Sequence, residues 1–258
     1  MRPILFQLGP IPISAFGVFL LLAFLAAIAL ARRTAHKQLG LDPTAIVDLS
    51  LYAVVAGIIG GRIGFILVNL GQFAEDPSRM LTIWRDGGLV YYGGLLGGLL
   101  LARLYTKAWP ASFGALLDAF AAPLILGYGI AMIGALLHGL FQGRATDVPW
   151  AVELFLERRH PTQLYLAAAS LAILSILRAQ RAHALAPGTL FVLAIFLQAI
   201  ARFAVDFFIE ARAVAGPLTV GQLASGIAMC ISLWLLVAYQ RRAPEARPGP
   251  EPIAGAPA

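Results

Sequence analysis

Seven apolar stretches, each near the roughly 20 residues that cross the hydrocarbon of a bilayer as a helix, leave this chain few folds to adopt. They run over about 12–31, 45–69, 88–106, 115–141, 163–178, 188–209 and 217–239. Composition agrees. Hydrophobic residues make up 60% of the 258 and charged residues 12%, against about 45–50% and about 25% in ordinary globular chains. A chain this poor in polar groups cannot cover a water-facing surface, so the expected fold is an all-α polytopic membrane protein. The last sixteen residues, 243–258, are rich in Pro, Ala and Gly and read as a disordered tail. The expected organisation is therefore a seven-helix membrane domain over 1–242 followed by that tail.

An odd number of spans puts the termini on opposite sides, and Arg and Lys choose which. One set of loops holds Arg32, Arg33, Lys37, Arg103, Lys107, Arg178, Arg181, Arg241 and Arg242. The other holds Arg2, Arg79, Arg85, Arg144, Arg158, Arg159 and Arg212, interleaved with acidic residues such as Asp86, Glu157 and Glu210. The bias predicts the N-terminus outside and the C-terminus in the cytoplasm. Ala29-Leu30-Ala31 superficially fits a signal-peptidase site, but Pro10 and Pro12 precede the run and Arg32-Arg33 follows it, as in an anchor. A net charge of +6 in such a chain points to anionic headgroups, not nucleic acid. One cysteine, Cys230, excludes an intramolecular disulfide, and four scattered histidines argue against zinc. No metal and no cofactor are expected.

An ionisable group inside a membrane helix is expensive and marks a functional site by default. Arg62 lies about 25 Å and Arg202 about 21 Å along their helices from the cytoplasmic ends, in the outer part of the bilayer. Gln198, Arg202 and Asp206 are spaced by four and share one helix face. His138 falls near the outer end of the fourth span, and Tyr91 and Tyr92 at the outer start of the third. Each has an ordinary reading as well. Arg202 and Asp206 can neutralise each other, Arg62 can snorkel to headgroups, His138 can be packed, and Tyr92 can sit in an aromatic belt. The 142–163 loop either gathers an anionic headgroup with Arg144, Arg158, Arg159 and His160, or rests at the interface on Trp150 and Phe155.

The blocks Gly60-Gly61-Arg62-Ile63-Gly64, Asp86-Gly87-Gly88-Leu89-Val90-Tyr91-Tyr92-Gly93-Gly94, Gly143-Arg144 and His160-Pro161-Thr162-Gln163-Leu164-Tyr165 stand in one order. Arg202-Phe203-Ala204-Val205-Asp206 and Leu218-Thr219-Val220-Gly221-Gln222 complete it. Together they resemble the prolipoprotein diacylglyceryl transferase family from about residue 15 to 239. The resemblance implies seven helices in a bacterial inner membrane. It also implies transfer of the diacylglyceryl group of phosphatidylglycerol to the lipobox cysteine of a prolipoprotein signal peptide. Arg202 matches the family's Arg-x-x-x-Glu arginine, with Asp206 in the glutamate's place. Arg62 and Arg144 match further family arginines, and Gly143 and Gln163 fall in its substrate-binding blocks.

The resemblance also has departures. The family's Gly-Arg-(Ile/Leu)-Gly-Asn-Phe-x-Asn-Gly-Glu is here Ala131-Met132-Ile133-Gly134-Ala135-Leu136-Leu137-His138-Gly139-Leu140. Phe16 replaces a family tyrosine, Tyr92 a histidine and Leu166 a glutamate. With those groups gone, a base for the thiol falls to His138 or Tyr92. His138 is preferred because an imidazole exchanges protons near neutral pH. Two classes of function follow: transferase chemistry centred on Arg202, Asp206, His138 and Tyr92, or a non-catalytic relative, a pseudoenzyme that binds phospholipid or a lipidated partner.

Overall fold

The computed structural model describes residues 4–8, 11–74, 76–80, 88, 90–107, 109–154, 156–181, 185–211, 213–216 and 218–241. The expected tail, the loop residues Arg2, Pro10, Arg85, Asp86, Gly87, Leu89, Phe155, Arg212 and Arg242, and the side chains of Tyr91 and Tyr92 lie outside that description. Among the described residues six helices are long and apolar enough to cross a membrane. They are α1 (Ala15–Leu39), α2 (Pro43–Val68), α5 (Phe113–His138), α6 (Thr162–Gln180), α7 (Thr189–Asp206) and α8 (Val220–Arg241). Between α2 and α5 lie the short α3 (Leu70–Ala74) and α4 (Tyr91–Tyr105). Leu96, Leu100 and Leu104 follow one face of α4 and are 66%, 61% and 64% exposed, an apolar stripe of the kind that faces lipid. The protein is a helical multi-pass membrane protein. The third expected stretch is the exception in length: α4 has 15 residues where 88–106 suggested a full span.

The chain forms two compact units, one of Met1–Ala23 with Leu124–Ala258 and one of Phe24–Pro123. In the second, α2 starts where Asp42 accepts a hydrogen bond from the Thr44 amide and Pro43 takes the first helical position, a site where its missing N–H costs nothing. Glycines then let α2 and α4 touch backbone to backbone. A Cβ on Gly60 would strike the Gly93 carbonyl, and one on Gly97 the Ala56 carbonyl, the close approach that small residues permit in membranes. Around the turn between α1 and α2, Ala31, Ala35, Ile46, Leu49, Leu116 and Ala119 form a buried cluster.

The first unit carries three two-stranded ribbons that apolar periodicity did not foreshadow. β1 (Ile4–Leu8) pairs antiparallel with β2 (Ile11–Ser14), β3 (Val152–Leu154) with β4 (Glu157–Arg159), and β5 (Ala213–Ala215) with β6 (Leu218–Thr219). Each leads into a helix, and local chemistry makes the junction. The Ser14 hydroxyl accepts from the Gly17 amide at 3.0 Å to start α1. At α8, Thr219 Oγ1 accepts from the Gln222 amide at 3.1 Å while Gln222 Oε1 accepts from the Thr219 amide at 3.0 Å, a reciprocal capping box. The Leu218–Gln222 block of the resemblance is thus a helix start. α5 ends in a Schellman turn. Gly139, at φ 86°, donates to Leu136 O at 3.2 Å, and Leu140 donates to Ala135 O at 2.9 Å.

Candidate functional site

Arg202 and Asp206 meet as their spacing predicts: Nε of the arginine lies 2.8 Å from Oδ1 of the aspartate within α7. The Asp206 side chain is only 3% exposed. Its carboxylate rests against Gly221 in the first turn of α8, occupying the space a Cβ there would need, with the Thr219 hydroxyl alongside. A negative group at a helix N-terminus is favoured by the aligned peptide dipoles, so Asp206 serves α8 as well as Arg202. The Arg202 guanidinium lies over the Phe141 ring, 5.1 Å from its centroid, a cation–π contact. From α5 the Tyr128 hydroxyl meets Arg202 and Gln198, yet neither amide atom of Gln198 closes a well-aligned hydrogen bond. Tyr128 is the residue that sequence reasoning missed. Its signal was there: a lone polar side chain in an apolar run, one helical turn before Met132.

The turn after α5 joins three more of the expected residues. Gln163 is fully buried, and its Nε2 donates to the Leu140 and Phe141 carbonyls. Thr162 Oγ1 also donates to Phe141 O, at 2.6 Å. Gln163 therefore fixes the segment that carries Phe141 beneath Arg202. Gly143 is pressed against the His160 carbonyl where a Cβ would stand; no other residue fits there. Arg144 is held by its backbone, donating to Phe208 O at 2.7 Å and accepting from His160 N at 3.1 Å. Its exposed guanidinium reaches Ile209 O only through Nε, at 3.4 Å. His138 closes α5 with its ring centroid 6.3 Å from that of Phe16, and its Nδ1 is buried without a hydrogen bond.

The positions where the resemblance loses polar groups gather in one place. Met132, Ala135 and Leu166 are buried with Val205 and Ile209, and Phe16, Leu140, Tyr128 and Tyr165 pack against them. Phe16, Met132, Ala135, Leu140 and Leu166 are five separate departures in sequence and one apolar cluster in space. Leu140 packs over Ala135 as the hydrophobic partner a Schellman turn commonly has.

Outside this cluster the loop arginines are largely engaged. Arg159 pairs with Glu157 at 2.5 Å and with Glu210, and donates to Gly143 O at 3.1 Å. Its hydrogen bond to Glu210, above all, holds its guanidinium in the charged form. Arg158 donates to Val148 O at 3.0 Å. His160 Nδ1 lies 3.1 Å from the Tyr165 hydroxyl, which accepts from Trp150 Nε1 at 2.7 Å. In the other unit, Arg62 is buried between the rings of Phe65 and Phe73. It donates to Met80 O at 3.0 Å, Arg79 O at 2.6 Å and Gly88 O at 3.3 Å, pinning the loop after α3 to α2. Tyr92 is the second residue of α4.

Comparison with known proteins agrees with this layout. Residues 3–238 match the family model described as prolipoprotein diacylglyceryl transferase. The chain is similar to the phosphatidylglycerol–prolipoprotein diacylglyceryl transferase of Geobacter sulfurreducens, with 33% identity over 93% of this chain and 96% of the relative. It shares 35% identity with that of Chromohalobacter salexigens, over 89% of this chain and 91% of the relative. With that of a Nostoc species it shares 30%, over 91% and 89%. A family match over nearly the whole length, together with full-length relatives at this identity, means that the chain belongs to the prolipoprotein diacylglyceryl transferase family.

Proposed function

We propose that the chain transfers the diacylglyceryl group of phosphatidylglycerol to the lipobox cysteine of a prolipoprotein signal peptide, at the inner membrane of a bacterium. The observation that carries this is a guanidinium inside the membrane domain, Arg202, oriented by Asp206 and Phe141. In the reaction the cysteine thiol gives its proton to a base. The thiolate sulfur attacks the glyceryl carbon that bears the phosphate, the carbon–sulfur bond forms, and the carbon–oxygen bond breaks with its electron pair going to glycerol phosphate. Arg202 offsets the charge that builds on that leaving group, and the exposed guanidinium of Arg144 is a second cation for it. His138 takes the proton at its unengaged Nδ1; Tyr92 is the other base the chain offers. Gln163 and Gly143 bind through the turn they shape. Arg62 contributes by holding the main chain at Arg79, Met80 and Gly88.

The apolar cluster at Phe16, Met132, Ala135, Leu140 and Leu166 favours a second reading, a non-catalytic relative that binds phospholipid. One experiment separates the two. The purified chain in phosphatidylglycerol liposomes is given a lipobox peptide, and intact mass is measured. The expected product carries one diacylglyceryl group and is lost with His138→Ala. An unmodified peptide beside retained phosphatidylglycerol would move the protein to the second reading.

The orientation belongs to the same proposal, with the N-terminus and the 142–163 loop outside and the 32–44 and 107–114 loops in the cytoplasm. Cys230 is exposed, so it is first changed to alanine. Arg158→Cys in that background should then react with an impermeant maleimide added to whole spheroplasts. Reaction only after the cells are opened would reverse the orientation.

A further inference from the structure

Tyr128 has no counterpart among the residues the resemblance supplies, yet it reaches from α5 to the charged face of α7. Its ring belongs to the apolar cluster, packed with Met132, Ala135 and Leu166. Its hydroxyl meets the side chains of Arg202 and Gln198 on α7. Tyr128 is only partly buried, and a polar group at such a depth in a native structure is almost always hydrogen-bonded. A guanidinium has five donors and no acceptor, so beside Arg202 the phenol oxygen accepts, and its own proton is left for Gln198 Oε1 or an incoming anion. Both amide atoms of Gln198 are buried and make no hydrogen bond, and neither Asp206 oxygen receives a well-aligned one. Leaving such groups unmade is costly. Three polar side chains on two helices thus open toward the same guanidinium with capacity to spare.

We infer that Tyr128 is a ligand-contacting residue whose hydroxyl donates to the same anionic oxygen that Arg202 holds, while the Gln198 amide meets a neighbouring hydroxyl of the ligand. This rests on the phospholipid reading above and deepens it. A phosphate diester bearing a small polyol has acceptor oxygens for Arg202 and Tyr128 and a hydroxyl for Gln198. A choline headgroup has no hydroxyl to offer, and its own positive charge is repelled by Arg202. Tyr128 would therefore help to choose the headgroup. The cation stands on α7, and the hydroxyl reaches it from α5, one turn before the methionine that replaces a family arginine.

The test is headgroup selectivity in the full chain. Tyr128→Phe keeps the ring in the cluster and removes only the hydroxyl, so folding is preserved. Affinities for phosphatidylglycerol and phosphatidylcholine with identical acyl chains are measured by native mass spectrometry from detergent, beside the thermal midpoint. Tyr128→Phe should weaken phosphatidylglycerol about tenfold, as loss of a hydrogen bond to a charged group does, leaving phosphatidylcholine and the midpoint unchanged. Gln198→Leu should lower the same preference. Phosphatidylglycerol lost in Arg202→Ala but kept in Tyr128→Phe would overturn the inference alone. Equal weakening of both lipids with a lower midpoint would assign the phenol to packing and overturn it as well. A natural chain with no preference for phosphatidylglycerol would overturn the donor reading itself.

Discussion

Arg202→Ala should abolish transfer, lowering the rate by about 10²–10³, the usual effect of removing one preorganised group that stabilises developing charge. The structure adds a second consequence. Asp206, 3% exposed, loses its cation, and a buried carboxylate without its partner destabilises a protein by about 3–5 kcal/mol. The first turn of α8 offsets part of that, because the helix dipole still faces the carboxylate. The variant should therefore melt earlier and be inactive, and the two effects can be separated. Arg202→Ala with Asp206→Asn should recover the thermal midpoint in detergent but no activity. Arg202→Lys keeps the charge without the planar fork and should retain a small part of the rate. Recovery of both properties in the double variant would reduce the pair to a structural brace and remove Arg202 from the chemistry.

The second large effect concerns Met132, where the resemblance places an arginine. Restoring Met132→Arg alone should harm the protein. Met132 is 5% exposed, and its neighbours Ala135 and Leu166 are fully buried. A cation there has no partner, at a cost of about 3–5 kcal/mol. The variant is expected to show a markedly lower midpoint and poor yield from membranes. Adding Leu166→Glu, which puts a carboxylate in the same cluster, should recover much of the loss. Phe16→Tyr and Leu140→Glu extend the set. A stable Met132→Arg single variant would mean that the cluster hydrates readily, and the five departures would then be independent substitutions.

How much of this could be read in advance depended on the distance along the chain between the interacting groups. Six of the spans and the Arg202–Asp206 pair were legible, because apolar run length and a spacing of four are local patterns. The apolar run of α4 was legible for the same reason; its later start at Tyr91 and its length of 15 residues were not. Arg62 was placed on its helix correctly. Its partners were invisible, because they are the carbonyls of Arg79, Met80 and Gly88, and main-chain acceptors in loops leave no mark on composition. The apolar cluster was the least legible feature. Its members come from positions 16, 132, 135, 140, 166, 205 and 209, and only long-range packing makes them neighbours. Tyr128 was missed because a tyrosine in a membrane helix reads as core until something charged is found across from it.

The shortness of α4 changes the membrane as well as the protein. Fifteen residues rise about 22 Å, while the hydrocarbon is about 30 Å thick. A helix too short for its bilayer draws the leaflets together around it at a modest cost per ångström. Where α4 alone crosses, the shortfall is about 8 Å, to be met by a thinner bilayer or by the residues that flank the helix. The reacting groups of a phospholipid and of a membrane-inserted peptide are polar atoms that bulk hydrocarbon excludes. A bilayer thinned beside α4 would keep such atoms hydrated deeper than a flat one does, a property of the lipid that follows from one short helix and not from any side chain.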